Sequence, residues 1–221
     1  MEHVMFVKLW MKKDVISIAP EQTLAEAAEV MQQNRIRRLL VTQGPTLVGI
    51  ISQHDIQKGI PANGDESTRM IASQSKVEAY MTHNPITAEP MDPLEDIALS
   101  MRKNKIGGIP VLEDGTLVGI ITESDIFRAL TEILGAGKNG ARVELKIGHS
   151  AKDLFQIVKL CKQFDIAITA ISIFQDFSPE HQLLTVRLDG EELDGLIDAL
   201  WESGCQINRI MRFDEEGMAD T

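Results

Sequence analysis

The chain is poor in cysteine: Cys161 and Cys205 are its only two in 221 residues. They stand far apart, without a CxxC pair, inside segments patterned like a helix and a strand; this excludes a disulfide framework and predicts two small core residues. Histidine is almost as sparse. His3, His54, His83, His149 and His181 never fall at a spacing such as HExxH, so neither a metal nor a redox cofactor is expected. No apolar run approaches the ~18 residues of a membrane span, and Glu2, Lys8, Lys12 and Lys13 interrupt the N-terminus where a secretory signal would carry its apolar core. The expectation is a cytoplasmic protein with no membrane partner. Positive charge is in deficit too: 22 Lys and Arg against 33 Asp and Glu leave −11. That is the wrong sign for neutralising phosphates along a duplex, so no nucleic-acid partner is expected. Also missing are GxxxxGK[ST], GxGxxG and a Ser/His/Asp order around a nucleophile elbow, which argues against an enzyme.

What is present is a repeat. Residues 10 to 56 align without a gap on residues 80 to 126, at a constant offset of 70. The register matches Met11 with Met81, Pro20 with Pro90, Leu24 with Leu94, Met31 with Met101 and Val41 with Val111. It also pairs TLVGII at 46 to 51 with TLVGII at 116 to 121, and Asp55 with Asp125. In the first copy Val15 to Ile18 reads as a short strand stopped by Pro20. Leu24, Ala27, Ala28 and Met31 follow at helical spacing behind a cap at Thr23, with Glu26 three residues on. Leu39 to Val41, a turn at Gln43-Gly44-Pro45, a strand over Leu47 to Ile51 and a helix from Ser52 complete the unit. The second copy repeats the order, with Asp92-Pro93 opening its helix and Asp114-Gly115 as its turn. A β-α-β-β-α unit of ~50 residues is too small to close a core alone, so the copies are expected to pack about a pseudo-twofold axis.

The two copies resemble CBS domains, and in tandem a Bateman module: NRIRRLLVTQGPTLVGIISQHDI and NKIGGIPVLEDGTLVGIITESDI both fit that pattern. The resemblance implies a cleft for an adenine nucleotide, AMP, ADP or ATP. Ser52 with Asp55 and Thr122 with Asp125 stand three apart where a strand becomes a helix. Two readings are compatible: a capping box, and, by the resemblance, an acid presented to the ribose hydroxyls. By the same resemblance the adenine walls come from Ile16, Ser17, Leu39 and Leu40 in one copy and Ile86, Thr87, Ile109 and Pro110 in the other. Any of these aliphatics could equally be plain core. The copies diverge in charge. Arg35, Arg37 and Arg38 precede the first strand pair, where the second copy has Lys105, Gly107 and Gly108. Arg38 stands where the gamma subunit of AMP-activated kinase, a CBS protein, places a phosphate-binding arginine, and the first cleft is expected to prefer the more phosphorylated ligand. Which copy's cations serve which cleft is not readable from the sequence.

After a glycine-rich stretch at 135–141 the pattern changes. Val143 to Ile147 reads as a strand, and Ser150 as a cap with Asp153 three on. Leu154, Ile157, Val158 and Cys161 form a helical stripe, and Ile166 to Phe174 a strand. Gln182 to Leu188, a helix over Glu191 to Ser203 and Gln206 to Phe213 complete β-α-β-β-α-β, the ferredoxin-like order. DLFQIVKLCKQFDIAITAIS resembles an ACT domain, but Ala151-Lys152 stands where ligand-binding relatives carry Pro-Gly; a dimerising or signal-transmitting role is expected ahead of an amino-acid site. The fold class is thus α/β and α+β: a first CBS repeat at 1–66, a second at 67–134, a linker at 135–141, an ACT-like domain at 142–213 and an acidic tail at 214–221, expected to be solvated. This domain order resembles the acetoin-utilisation protein B family of bacteria. It implies a regulatory homodimer that senses an adenosine-containing small molecule; the alternatives are a dimerisation scaffold with empty clefts and an enzyme with an unrecognised site.

Overall fold

The structure is a computed structural model and describes residues 5–60, 65–214 and 217–219. It divides into two compact units, Met1–Phe127 and Arg128–Thr221. In the first, α1 (Val7–Trp10), β1 (Ser17–Ile18), α2 (Leu24–Gln33), β2 (Arg38–Gln43), β3 (Thr46–Ser52) and α3 (Gln53–Gly59) are followed by α4 (Glu66–Ser73) and β4 (Thr82–His83). The second copy continues with α5 (Leu94–Asn104), β5 (Gly108–Glu113), β6 (Thr116–Thr122) and α6 (Glu123–Ile133).

Local chemistry accounts for the helix starts. The Thr23 hydroxyl accepts from the Glu26 amide, while the Glu26 carboxylate takes the Thr23 amide at 2.7 Å and its hydroxyl at 2.9 Å, a closed capping box. Those two bonds, the backbone one foremost, hold the Glu26 carboxyl below its ordinary pKa. At the other end, Arg35 and Lys105, 70 residues apart, both turn the chain through the left-handed region, with φ of 52° and 54°.

The repeat is visible in the hydrogen bonds, and it is reciprocal. The Val7 amide donates to the Asp92 carbonyl and that of Lys8 to Pro90; the Val77 amide donates to Gln22 and that of Glu78 to Pro20. Each pair maps onto the other with the copies exchanged. Strand pairing follows the same rule: β4 adds to β3 through Gly49↔His83 and Ile50↔Thr82, while Lys12 bridges Ile120 on β6. Glycine is required at Gly49 and Gly119 because the partner copy's lead-in packs on it. A β-carbon on Gly49 would lie 2.6 Å from Met81 Sδ, and one on Gly119 2.9 Å from Met11 Sδ. Leu24, Met31, Leu39, Val41 and Ile51 are buried, as are Leu94, Met101, Ile109, Val111 and Ile121, so one core pattern is used twice.

The second unit runs β7 (Gly140–Ile147), α7 (Ala151–Gln163), β8 (Ala167–Phe174), β9 (Gln182–Asp189), α8 (Leu193–Glu202), β10 (Gln206–Asp214) and β11 (Gly217–Ala219), and its five strands form one antiparallel sheet in the order β11-β10-β7-β9-β8. Its first six elements run β-α-β-β-α-β, with the two helices packed on one face. Ile157, Cys161, Leu196 and Leu200 meet Val143, Leu145, Leu184 and Val186 in the core.

Several expectations need correcting here. Val158 is 41% exposed, so the α7 stripe is narrower than the spacing implied. Ser150 does cap α7, but Asp153 turns away to accept the Gly148 amide at 2.8 Å. Cys205 lies in the turn before β10, half-buried, because α8 ends at Glu202. Gly140 and Ala141, placed in the linker, are the first residues of β7. Of the acidic tail, residues 217–219 pair on β10, while Glu215, Glu216, Asp220 and Thr221 lie outside the described residues.

Candidate functional site

The two strand ends of the first unit open into two clefts, and each cleft draws on both repeats. One, of about 460 Å³, is lined by Ser52, His54, Asp55 and Lys58 of the first repeat and by Asn84, Pro85, Ile86 and Lys105 to Gly108 from the second. The other, of about 170 Å³, combines Lys12, Asp14, Ile16, Arg35, Arg37 and Leu40 with Ile120, Thr122, Glu123 and Ser124. The first is within the range of clefts that take a small organic ligand; the second is tighter. The assignment of basic residues is therefore crossed: the arginine cluster of the first repeat faces the strand end of the second. The cleft at the first repeat's own strand end keeps Arg38, Lys58 and Lys105 as its cations.

The acids are held alike. Asp55 Oδ2 accepts the Ser52 amide at 2.9 Å and its hydroxyl at 2.6 Å, and the Ser52 hydroxyl in turn accepts the Asp55 amide. Asp125 Oδ2 accepts the Thr122 amide at 3.0 Å and hydroxyl at 2.6 Å. Each carboxylate thus spends one oxygen on its own helix start. They differ in cover. The Asp55 side chain is 23% exposed, with Oδ1 3.9 Å from Lys58 Nζ, whereas Asp125 is only 3% exposed.

Arg38 lines both clefts. It begins β2 opposite Ser52, and its side chain crosses to the second repeat, where a β-carbon on Gly108 would meet Arg38 Cδ at 2.9 Å and one on Gly107 would overlap the guanidinium itself. Glu123 Oε2 lies 3.9 Å from the guanidinium. Burial depresses the Arg38 pKa, Glu123 opposes that, Arg37 adds to it and Asp55 opposes it. An arginine stays protonated through such a shift. A loose, solvent-facing ion pair contributes little, so the guanidinium can change partners at small cost.

The other named residues fall into three groups: cleft-lining, buried and exposed. Ile16, Leu40 and Ile86 line the clefts. Leu39 and Ile109 have no exposed surface and belong to the core, because residues on a strand alternate faces and theirs point inward. Pro110 is buried, its carbonyl accepting the Ala88 amide at 2.9 Å, and Ser17 and Thr87 are exposed. Lys12, Glu123, Lys58 and Lys105 were missed as cleft residues. Lys58 and Glu123 stand beside the strand-end pairs of their own repeats, whereas Lys12 is brought in by the lead-in segment that bridges Ile120.

The sequence model of the CBS domain matches residues 7–62 and 77–132. A CBS domain-containing protein of Dictyostelium discoideum is 33% identical over 135 residues, covering 58% of this chain and 92% of that protein. Other curated relatives are longer, and the chain spans 22–32% of three of them, each named for an enzymatic activity. Among solved structures, the CBS domain pair of protein MJ0100 in complex with 5′-methylthioadenosine and S-adenosyl-L-methionine is 32% identical, with a TM-score of 0.50, over 57% of this chain and 96% of that one. CBSX2 in complex with AMP is 26% identical, with a TM-score of 0.51 over 58% and 97%. A putative acetoin utilization protein from Vibrio cholerae is 27% identical, with a TM-score of 0.51 over 59% and 93%. With two matched copies spanning half its length, the chain belongs to the CBS domain family.

Proposed function

We propose that this chain is a non-catalytic sensor whose CBS pair holds an adenine nucleotide and whose C-terminal unit, an ACT-type domain, dimerises and passes the signal on. The observation that carries the reading is the position of Arg38, one cation shared by two clefts that each present a strand-end hydroxyl, Ser52 beside Asp55 in the wider and Thr122 beside Glu123 in the tighter. Related pairs hold AMP, or 5′-methylthioadenosine and S-adenosyl-L-methionine, and adenosine is what these ligands share. In the wider cleft Asp55 Oδ1 receives the ribose hydroxyls, Pro85 and Ile86 flank the base, and Arg38 with Lys105 receives phosphate. In the tighter cleft Ile16 and Leu40 are the wall, Asp125 the ribose acid and Arg35 and Arg37 the cations.

Occupancy regulates only if the ligand binds one arrangement of the repeats better than another. The reciprocal lead-in contacts supply two surfaces whose packing a ligand between them would bias. Lys152 at the start of α7, in place of a glycine, disfavours an amino-acid ligand in the C-terminal unit. The domain order and the similarity to the Vibrio cholerae protein favour a place in acetoin or acetate metabolism. Mass spectrometry of small molecules that co-purify, followed by calorimetry with AMP, ADP, ATP and S-adenosylmethionine, tests the reading. Affinity between low micromolar and millimolar is expected; no binding by any of them would leave a dimerisation scaffold.

A further inference from the structure

The face of the C-terminal sheet turned away from its helices carries a second, unrelated arrangement of charge. Arg142 on β7 and Arg187 on β9 are directly opposite in the strand register, so both side chains stand on that face. Like charges placed opposite each other oppose pairing unless something lies between them. Glu144 takes one of the two, its Oε1 accepting Arg142 Nη2 at 2.8 Å. Arg187 is stacked over the Phe213 ring at 4.6 Å, and among the described residues no carboxylate lies within ion-pair distance of it. Arg142 Nε is buried with no hydrogen-bond partner among the described residues. A buried charged donor left this way is costly.

Both arginines line one small cavity of about 140 Å³, together with the hydroxyl residues Ser172 and Thr185 and, from the segment after α6, Leu134 and Ala136. Gly135 allows that segment to close down: it is in the left-handed region at φ 65°, and a β-carbon there would press on Arg187 Cδ at 3.1 Å. The cavity is too small for a nucleoside. The Arg187 fork, the remaining donor at Arg142 Nε and two hydroxyls in that space match a compact, doubly charged oxyanion, which accepts hydrogen bonds on every side.

We propose that Arg142, Arg187, Ser172 and Thr185 form a binding site for a phosphate-type oxyanion on the open face of the C-terminal sheet, separate from the CBS clefts. The ion accepts from Arg187 and from Arg142 Nε, relieving both the unpartnered donor and the opposed charges.

The test is calorimetric titration of inorganic phosphate into the full-length chain carrying Arg38→Ala, with ionic strength held constant by chloride, so that the CBS clefts contribute least. One saturable site is expected. Arg187→Ala should weaken it at least ~10-fold, the loss of a charged hydrogen bond, and Thr185→Val, close to isosteric, should weaken it by less. Should Arg187→Ala prove unfolded by circular dichroism, Arg187→Lys replaces it, keeping the charge, losing the fork and giving a partial loss. Absence of saturable binding, a site indifferent to both Arg187 and Thr185, or equal affinity for acetate would each overturn the proposal.

Discussion

Arg38 and Gly108 hold equivalent positions in the two repeats, and the side chain of the first lies across the backbone of the second. Near an axis relating two copies there is room for one such side chain. The loss of bulk at Gly107 and Gly108 is thus the counterpart of the gain at Arg38, and the sequence divergence between the copies has a steric cause. Gly107→Ala should displace the guanidinium, lowering stability by about 1–3 kcal/mol and weakening nucleotide binding. In an Arg38→Ala background the same change should cost much less. A double-mutant cycle by urea denaturation measures the difference.

Arg38→Ala should discriminate by phosphate count. It lines both clefts and, as a cation, should touch the phosphates, so ATP and ADP should weaken by roughly 10-fold or more while adenosine changes little. Calorimetry with the three ligands reads this directly, and equal losses would reduce Arg38 to a packing residue.

The two acids should separate ligand from fold. Asp55 is partly open to its cleft, whereas Asp125 is almost enclosed. Asp55→Ala should therefore act mainly on nucleotide affinity. Asp125→Ala should lower stability by about 1.5–3 kcal/mol before any ligand is added, since it strips a buried charged acceptor from Thr122. Thermal unfolding with and without nucleotide distinguishes the two.

Leu39→Ala and Ile109→Ala, which empty the same core position in each repeat, should each cost about 2–5 kcal/mol without altering the preference between ATP and adenosine. A selective loss of one ligand would place either side chain in the cleft after all.

The C-terminal unit should carry a self-association surface on β8. That edge strand has no charged residue and leaves Ile171, Ile173 and Phe174 exposed, without the lysine or proline that commonly guards an edge. Light scattering is expected to give a dimer for the full chain, and Ile171→Lys to shift it toward monomer. A monomer for the unsubstituted chain at micromolar concentration would rule the dimer out.

Periodicity and the offset of 70 were enough to place α2, β2, β3 and α3 with their counterparts α5, β5, β6 and α6, because each element's pattern is local; α1, α4 and β4 were not read, and the second copy's opening strand is a single bridge at Ala88. They also pointed to the Ser52–Asp55 and Thr122–Asp125 pairs, whose chemistry is written in three residues. Partnership across the pseudo-axis was not legible. That Arg35 and Arg37 face Thr122 and not Ser52 depends on which copy's lead-in lies on which strand, and no spacing along the chain carries that information. Leu39 and Leu40 show the finer limit: both are buried apolar neighbours on one strand, on opposite faces, and only the three-dimensional structure shows that Leu40 borders the tighter cleft and Leu39 does not.

The exchanged hydrogen bonds of Val7 with Asp92 and Val77 with Gln22 make the repeat the wrong unit in which to think about inheritance of effect. Each half of the pair is completed by a segment belonging to the other, much as two subunits of a domain-swapped dimer complete each other, here within one covalent chain. A change at Met11 or Met81 is consequently felt first under Gly119 or Gly49, in the opposite copy. Variation along this chain should couple positions about 108 or 32 residues apart, not the 70 that separates one copy from the next.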